Sequence, residues 1–133
     1  MIKEDYLIRF ITIIGRSIAA MLDKRKQQQP EESLVLARAL FKEITGGNID
    51  EVPFQLDEQQ VSQWSAQMTE RMGDAAYETA MAYKDCGDKA RAENFMDIAL
   101  SLYAASEYKD KTFSIEREQK KEMVNKDKSI LSK

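Results

Sequence analysis

The residues with chemical potential in this 133-residue chain are few, and the foremost is Cys86, set in "DCGDK" between Asp85 and Asp88. A thiol becomes a nucleophile or a metal ligand when a neighbouring base or cation lowers its pKa, and histidine is the usual base. The chain contains no histidine. Ser-His and Cys-His activation, the commonest general base and most transition-metal sites go with it. Cys86 also precedes the turn glycine Gly87 near a helix C-terminus, where the dipole raises a thiol's pKa. It reads as inert. The carboxylate pairs Glu31-Glu32, Asp50-Glu51 and Asp57-Glu58 lie at helix starts or in a loop, where dipole compensation and solvation account for them. "TGGNID" follows a helix, not a strand, and lacks the lysine of a phosphate loop. The expectation is a non-enzymatic protein with no catalytic residue, cofactor or metal, and the remaining enzymatic alternative is an unusual carboxylate-based chemistry.

The elements that hold these residues are helices. Only two prolines and five glycines interrupt a chain that is 43% hydrophobic and rich in helix formers, which suits one helical domain over 1–133. The first helix is expected from Lys3 to Lys26, with Tyr6, Phe10, Ile13, Ile14, Ser17 and Met21 on one face, widened by Leu7, Ile11 and Ile18. So wide an apolar arc calls for neighbours on two sides, although the same arc with the cations of "DKRKQ" would also suit a membrane surface. Glu4 and Asp5 spoil a basic leader, and Arg9 and Arg16 break the apolar stretch well short of the roughly 20 residues a span needs. A second helix runs from Glu31 to Thr45 behind Pro30 and is closed by "TGG".

"GGNIDEVPFQ" is the longest loop, with Ile49, Val52 and Phe54 expected to pack against the body. The next helix starts at Asp57 with Gln60 placed to bond back, and carries Val61, Trp64, Met68 and Met72; Gly73-Asp74 then kinks it or stops and restarts it. Helices over 74–86 and 88–107 follow, divided by Gly87. The segment 112–133 reads as a charged helix, with Phe113 or Ile115, Met123, Val124 and Ile130 as a thin apolar line and Glu116 paired to Lys120, docked at its start and frayed at its end.

Charge is unevenly spread beneath the net −3: residues 1–26 carry six Lys/Arg against three Asp/Glu, 27–100 six against fourteen, and 101–133 eight against six. An acidic body without aromatic residues interleaved among cations disfavours nucleic acid. A single cysteine excludes an internal disulfide, and a cytoplasmic location is expected.

"AMAYKDCGDKARAENFMDIALSLY" (80–103) places small residues where two helices meet. Residues 73–106, about a quarter of the chain, resemble a tetratricopeptide repeat (TPR), a helix-turn-helix unit of about 34 residues. Ala76 and Ala80 stand at its early large and small positions, Tyr83 at its tyrosine, and Gly87-Asp88 at its turn. Ala92 and Ala99 match the small residues of its second helix, with Met96 in the large slot between them. Two departures stand out: Ala76 replaces the family's tryptophan-or-large residue, and Ser106-Glu107 replace the closing proline. Helices one and two would be a worn second unit, with "KRKQQQP" in place of the Gly-Asp turn. The whole chain is also similar to a bacterial family of small helical, repeat-like proteins that open with an acidic-Tyr-aliphatic helix, here "KEDYLIRFI", and that resemblance implies a fold and no activity.

The expected fold is therefore all-α, built of antiparallel helical hairpins in a TPR-like right-handed array, or a bundle of five to six helices in which the alanines serve ordinary close packing. The repeat resemblance implies a partner-binding face on the first helix of the 73–106 pair, here Asp74, Tyr77, Met81 and Lys84, with Glu78 and Asp85 beside it. That face lacks the Lys, Arg and Asn cluster that grips a peptide's terminal carboxylate, and a peptide with basic residues suits it better. The functional expectation is a protein-interaction or self-association module, binding a protein, a peptide or its own copy. The alternative is a small-molecule-binding regulatory domain with an apolar pocket between helix one and the Trp64 helix.

Overall fold

Six helices account for the chain in a computed structural model that describes residues 2–133, with side chains from Tyr6 onward. The Glu4 and Asp5 side chains of the leader argument lie outside the described residues. The helices are α1 (Ile2–Lys26), α2 (Pro30–Thr45), α3 (Glu58–Ser62), α4 (Ala66–Asp85), α5 (Lys89–Asp110) and α6 (Ile115–Leu131). Among the described residues there is no strand, and no helix is long and apolar enough to cross a membrane.

Local chemistry explains most of the boundaries. Pro30 opens α2 in the first turn, where its missing N–H costs nothing, and Gly46 closes it at φ 76°, a left-handed conformation that favours glycine. Asp57 caps α3 by accepting from the Gln59 amide, whereas Gln60, expected to bond back to Asp57, donates to the Ile44 carbonyl instead and ties α3 to the end of α2. Ser65, Asp88 and Ser114 accept from the amides of Met68, Arg91 and Arg117 and so cap α4, α5 and α6. Gly87 turns the chain between α4 and α5 at φ 82°.

The structure corrects the expected break at Gly73. The chain breaks earlier, through Gln63, Trp64 and Ser65, and α4 then continues through Gly73 without a stop. Two observations explain the shift. Lys109 of α5 donates to the carbonyls of Val61 and Trp64 (2.5 and 2.7 Å), satisfying groups that a continuous helix would have used internally. At Gly73 the Tyr103 ring lies so close that a Cβ would stand 2.8 Å from its Cε1, so the missing side chain serves close packing and leaves the helix unbroken.

Packing joins α4 and α5 most extensively, then α1 to α2 and α4, α2 to α4, and α6 to α5. Helices α1 and α4 finish at the same end of the molecule, since Arg25 in the last turn of α1 reaches both Glu78 (2.6 Å) and Asp85 (3.2 Å) of α4. Helix α6 runs in the same direction beside α4: Arg117 meets Glu70, Lys120 meets Asp74, and Tyr77 meets Asp127 in ascending order along both. The core is continuous. Ile14 and Met21 of α1, Leu40 and Phe41 of α2, Phe54 of the loop, Met72 of α4 and Phe95, Met96 and Leu102 of α5 are all buried within it. Of the broad arc expected on α1, Ile14 and Met21 are fully covered and Phe10 and Ile13 partly, while Tyr6 is exposed.

Helix α6 departs from expectation. Phe113, Ile115, Met123 and Ile130 are exposed, only Val124 of the predicted apolar line is buried, and the helix persists to Leu131 where fraying was expected. Lys120 does not pair with Glu116; it turns inward to Glu70 and Asp74. Charge, more than apolar surface, docks this element.

Candidate functional site

The α4–α5 hairpin places its small residues at the contact: Ala76, Ala80, Ala92 and Ala99 are fully buried, and Met96 is buried with them. Tyr83 is also buried, and its hydroxyl donates to Asp50 Oδ1 at 2.9 Å and lies 3.2 Å from the Ile49 carbonyl oxygen. That makes Tyr83 an anchor for the 46–57 loop as well as a filler in the hairpin. Arg38 and Arg91 complete the anchor: Arg38 grips the Asp50 carboxylate at 2.6 Å and Arg91 donates twice to its carbonyl. Asp50 is held below the usual carboxylate range, chiefly by the Arg38 hydrogen bond, while desolvation and the Asp50 charge push the Tyr83 phenol well up. Asn94 fastens the same loop by bonding both the amide and the carbonyl of Phe54. Ile49 and Phe54 pack inward as expected, and Val52 points out.

Cys86 is exposed. Desolvation, together with the nearby charges of Glu31 and Asp85, raises its thiol pKa, so thiolate is scarce at neutral pH. Among the described residues, no three His, Cys, Asp or Glu side chains gather as a metal site.

The face expected to meet a partner is met first by α6. Asp74 accepts from the Tyr103 hydroxyl (2.6 Å) and pairs with Lys120 and Arg71; Tyr77 donates to Asp127 (2.6 Å). Met81 and Lys84, farther along α4, are half-buried. The four residues therefore do share one side of α4, and the chain itself occupies the first half of it.

A different concavity is open. A cleft of about 1000 Å³ lies between α5 and the wall formed by residues 54–62. Its floor is apolar, from Phe54, Leu56, Val61, Ile98, Leu102 and Ala105, and its rim carries Glu58, Asp97, Ser101 and Tyr108. This cleft is not the one expected between helix one and the Trp64 helix; Trp64 itself is buried in the bend before α4.

Lys109 stands at the end of this cleft. Its ammonium donates to the Val61 and Trp64 carbonyls and the Thr69 hydroxyl, has no carboxylate partner among the described residues, and is lowered in pKa by desolvation. Sequence reasoning missed Lys109, Arg91 and Asn94. Each acts on a carbonyl or amide 40 to 48 residues back in the sequence and belongs to no local motif, although all three lie on α5, Arg91 and Asn94 one turn apart near its start and Lys109 near its end.

No protein-family model, no curated protein and no solved structure matches this chain.

Proposed function

We propose that this chain is a non-enzymatic, TPR-like helical interaction module that takes an amphipathic segment of a partner, or of its own copy, into the cleft on α5. The cleft carries this reading. Its floor is apolar, with Phe54, Ile98 and Leu102 buried and Leu56, Val61 and Ala105 half-buried, its mouth is wide, and α5 from Asp97 to Lys109 offers a track of about 18 Å, three helical turns. A site that encloses most of a small molecule's surface is the usual ligand pocket, and so open a groove suits an extended or helical peptide better. The array reading draws support from two hairpins, α1–α2 and α4–α5, whose first helices end together, and from the fully buried alanines between α4 and α5. A cytoplasmic setting belongs to the same reading, because an exposed lone thiol stays reduced there.

The test is retention of a host protein on immobilised wild type against a Ser101→Arg/Ala105→Glu variant, with a Glu43→Lys variant on exposed α2 surface as control. Loss with the cleft variant alone, at unchanged helicity, is the expected result. Equal retention by all three would remove the cleft from the function.

A further inference from the structure

Helix α6 is held in an unusual way for a terminal helix. Of its 17 residues, only Arg117 and Val124 are buried, and its apolar Ile115, Met123 and Ile130 face solvent. What binds it is a ladder of charges across the α4–α5 seam. Arg117 bridges Glu70 (3.2 Å) and Asp110 (2.6 Å), and Lys120 bridges Glu70 (2.7 Å) and Asp74 (3.2 Å). Lys121 takes Glu107 (2.8 Å) and Lys128 takes Asp97 (2.5 Å). Under this ladder lie apolar groups: Lys120 sits 5.9 Å from the centre of the buried Tyr103 ring, and Tyr77 reaches up to Asp127. The outer pairs, Lys121 with Glu107 and Lys128 with Asp97, keep solvent contact and weaken with salt, while Arg117 and Lys120 are largely covered; α6 is thus fastened mainly by charge, with Val124 and part of Leu131 as its apolar contacts. Its hinge, residues 111–114, contains Lys111 at φ 56°, a left-handed backbone that a non-glycine residue adopts at some cost.

We infer that α6 is a releasable strap over the side of α4 that carries Asp74 and Tyr77, and that the seam beneath it accepts in trans a partner helix presenting cations at the spacing of Arg117, Lys120 and Lys121. The charge complementarity is already displayed, because α6 is such a helix bound in cis. The partner is a basic amphipathic helix with one small apolar plug in the place of Val124. The seam touches the cleft on α5 at one residue, Asp97, which stands on the cleft rim and pairs with Lys128 of α6.

The probe is a fluorescent peptide of residues 112–133, titrated into the full chain. In wild type the tethered α6 competes at high effective concentration, and the peptide binds weakly. In an Arg117→Ala/Lys120→Ala/Lys121→Ala chain the strap is loosened, and binding tightens by about tenfold or more at low salt, with a peptide bearing Gln at the three cation positions failing to bind. Binding no tighter than wild type, or equal binding of the Gln peptide, overturns the inference. Amide exchange of the wild-type chain gives a second readout should the variant misfold. Between about 0.05 and about 0.5 M sodium chloride, α6 amides are expected to accelerate while those of α4 and α5 hold. Exchange of α6 in step with α4 and α5 at both salt concentrations overturns it equally.

Discussion

At the scale of single residues, the contact between α4 and α5 depends on side chains that are absent or short. Replacing Gly73 with alanine gains up to about 1 kcal/mol of helix propensity but drives a Cβ to 2.8 Å from a Tyr103 ring fixed by its bond to Asp74. Overpacking of that kind costs about 1 to 3 kcal/mol, so Gly73→Ala is expected to lower the urea midpoint, and a raised midpoint would show that the ring yields freely. Ala92 has no exposed surface, and an Ala92→Arg chain should lose about 2 to 5 kcal/mol in the same measurement. A melting temperature within a degree or two of wild type would refute the packing role. Lys109→Met keeps the stem but removes the ammonium donor to the Trp64 carbonyl and leaves the Val61 carbonyl with backbone amide donors alone. A cost of about 1 to 3 kcal/mol is expected, with faster exchange over 58–69 as its local signature. The alanines and Gly87 were legible because small residues at helical spacing and a glycine after a helix have local meanings. Gly73 and Lys109 were not, because the first answers to a ring 30 positions on and the second to carbonyls more than 40 positions back.

Among the elements, helix ends that carry Pro, Gly or Asp signals are legible nearly to the residue, as α2 and the start of α5 show, whereas α5 runs three residues past its expected end, to Asp110. The division of α3 from α4 was misplaced because Ser65 as a cap is weaker than Gly73 as a breaker when read without the donor from α5. That Asp74, Tyr77, Met81 and Lys84 share one side of α4 follows from their spacing, but the cover over its first half does not: ion pairs leave no hydrophobic periodicity, and α6 reads as a frayed tail. Its docking should respond to acid. The Arg117 hydrogen bond, with help from the Thr112 amide, holds Asp110 down from the ordinary 3.8 to about 2. Burial alone would raise Glu70, yet Lys120 and Arg117 more than offset it and bring it below its ordinary 4.5. A carboxylate with a depressed folded pKa stabilises above its unfolded value and loses that contribution as pH falls through the folded one. Docking of α6 is therefore expected to be complete at neutral pH and to weaken from about pH 4.5 towards pH 2, with Glu107, Lys121, Lys120 and Asp74 sharing the same field. Loss of the shifted Arg117 side-chain NMR signal over that interval is the check, and a signal unchanged at pH 2 would contradict it.

For the whole molecule, these two modes of attachment divide the chain into a body, α1–α5, held by a continuous apolar core, and α6, which reaches that core through Val124 and part of Leu131 and is otherwise held by charge. Hydrophobic burial is indifferent to or strengthened by salt, whereas ion pairs with solvent contact, here Lys121 with Glu107 and Lys128 with Asp97, are screened with a Debye length near 10 Å at about 0.1 M. The two parts should then respond to salt with opposite sign. The chain supplies its own reporter, because its one tryptophan, Trp64, is buried in the α3–α4 bend and is held there by Lys109, well inside the body. Far-UV circular dichroism counts every helix, α6 included. In urea at low salt the two signals are expected to move together, as a cooperative unit requires. At about 0.5 M salt the dichroism should lose the share of a 17-residue helix at lower urea than the tryptophan transition, while the Trp64 midpoint stays or rises. Coincident curves at both salt concentrations would mean that Arg117 and Val124 bind α6 into the body as firmly as α2, and the division would fail.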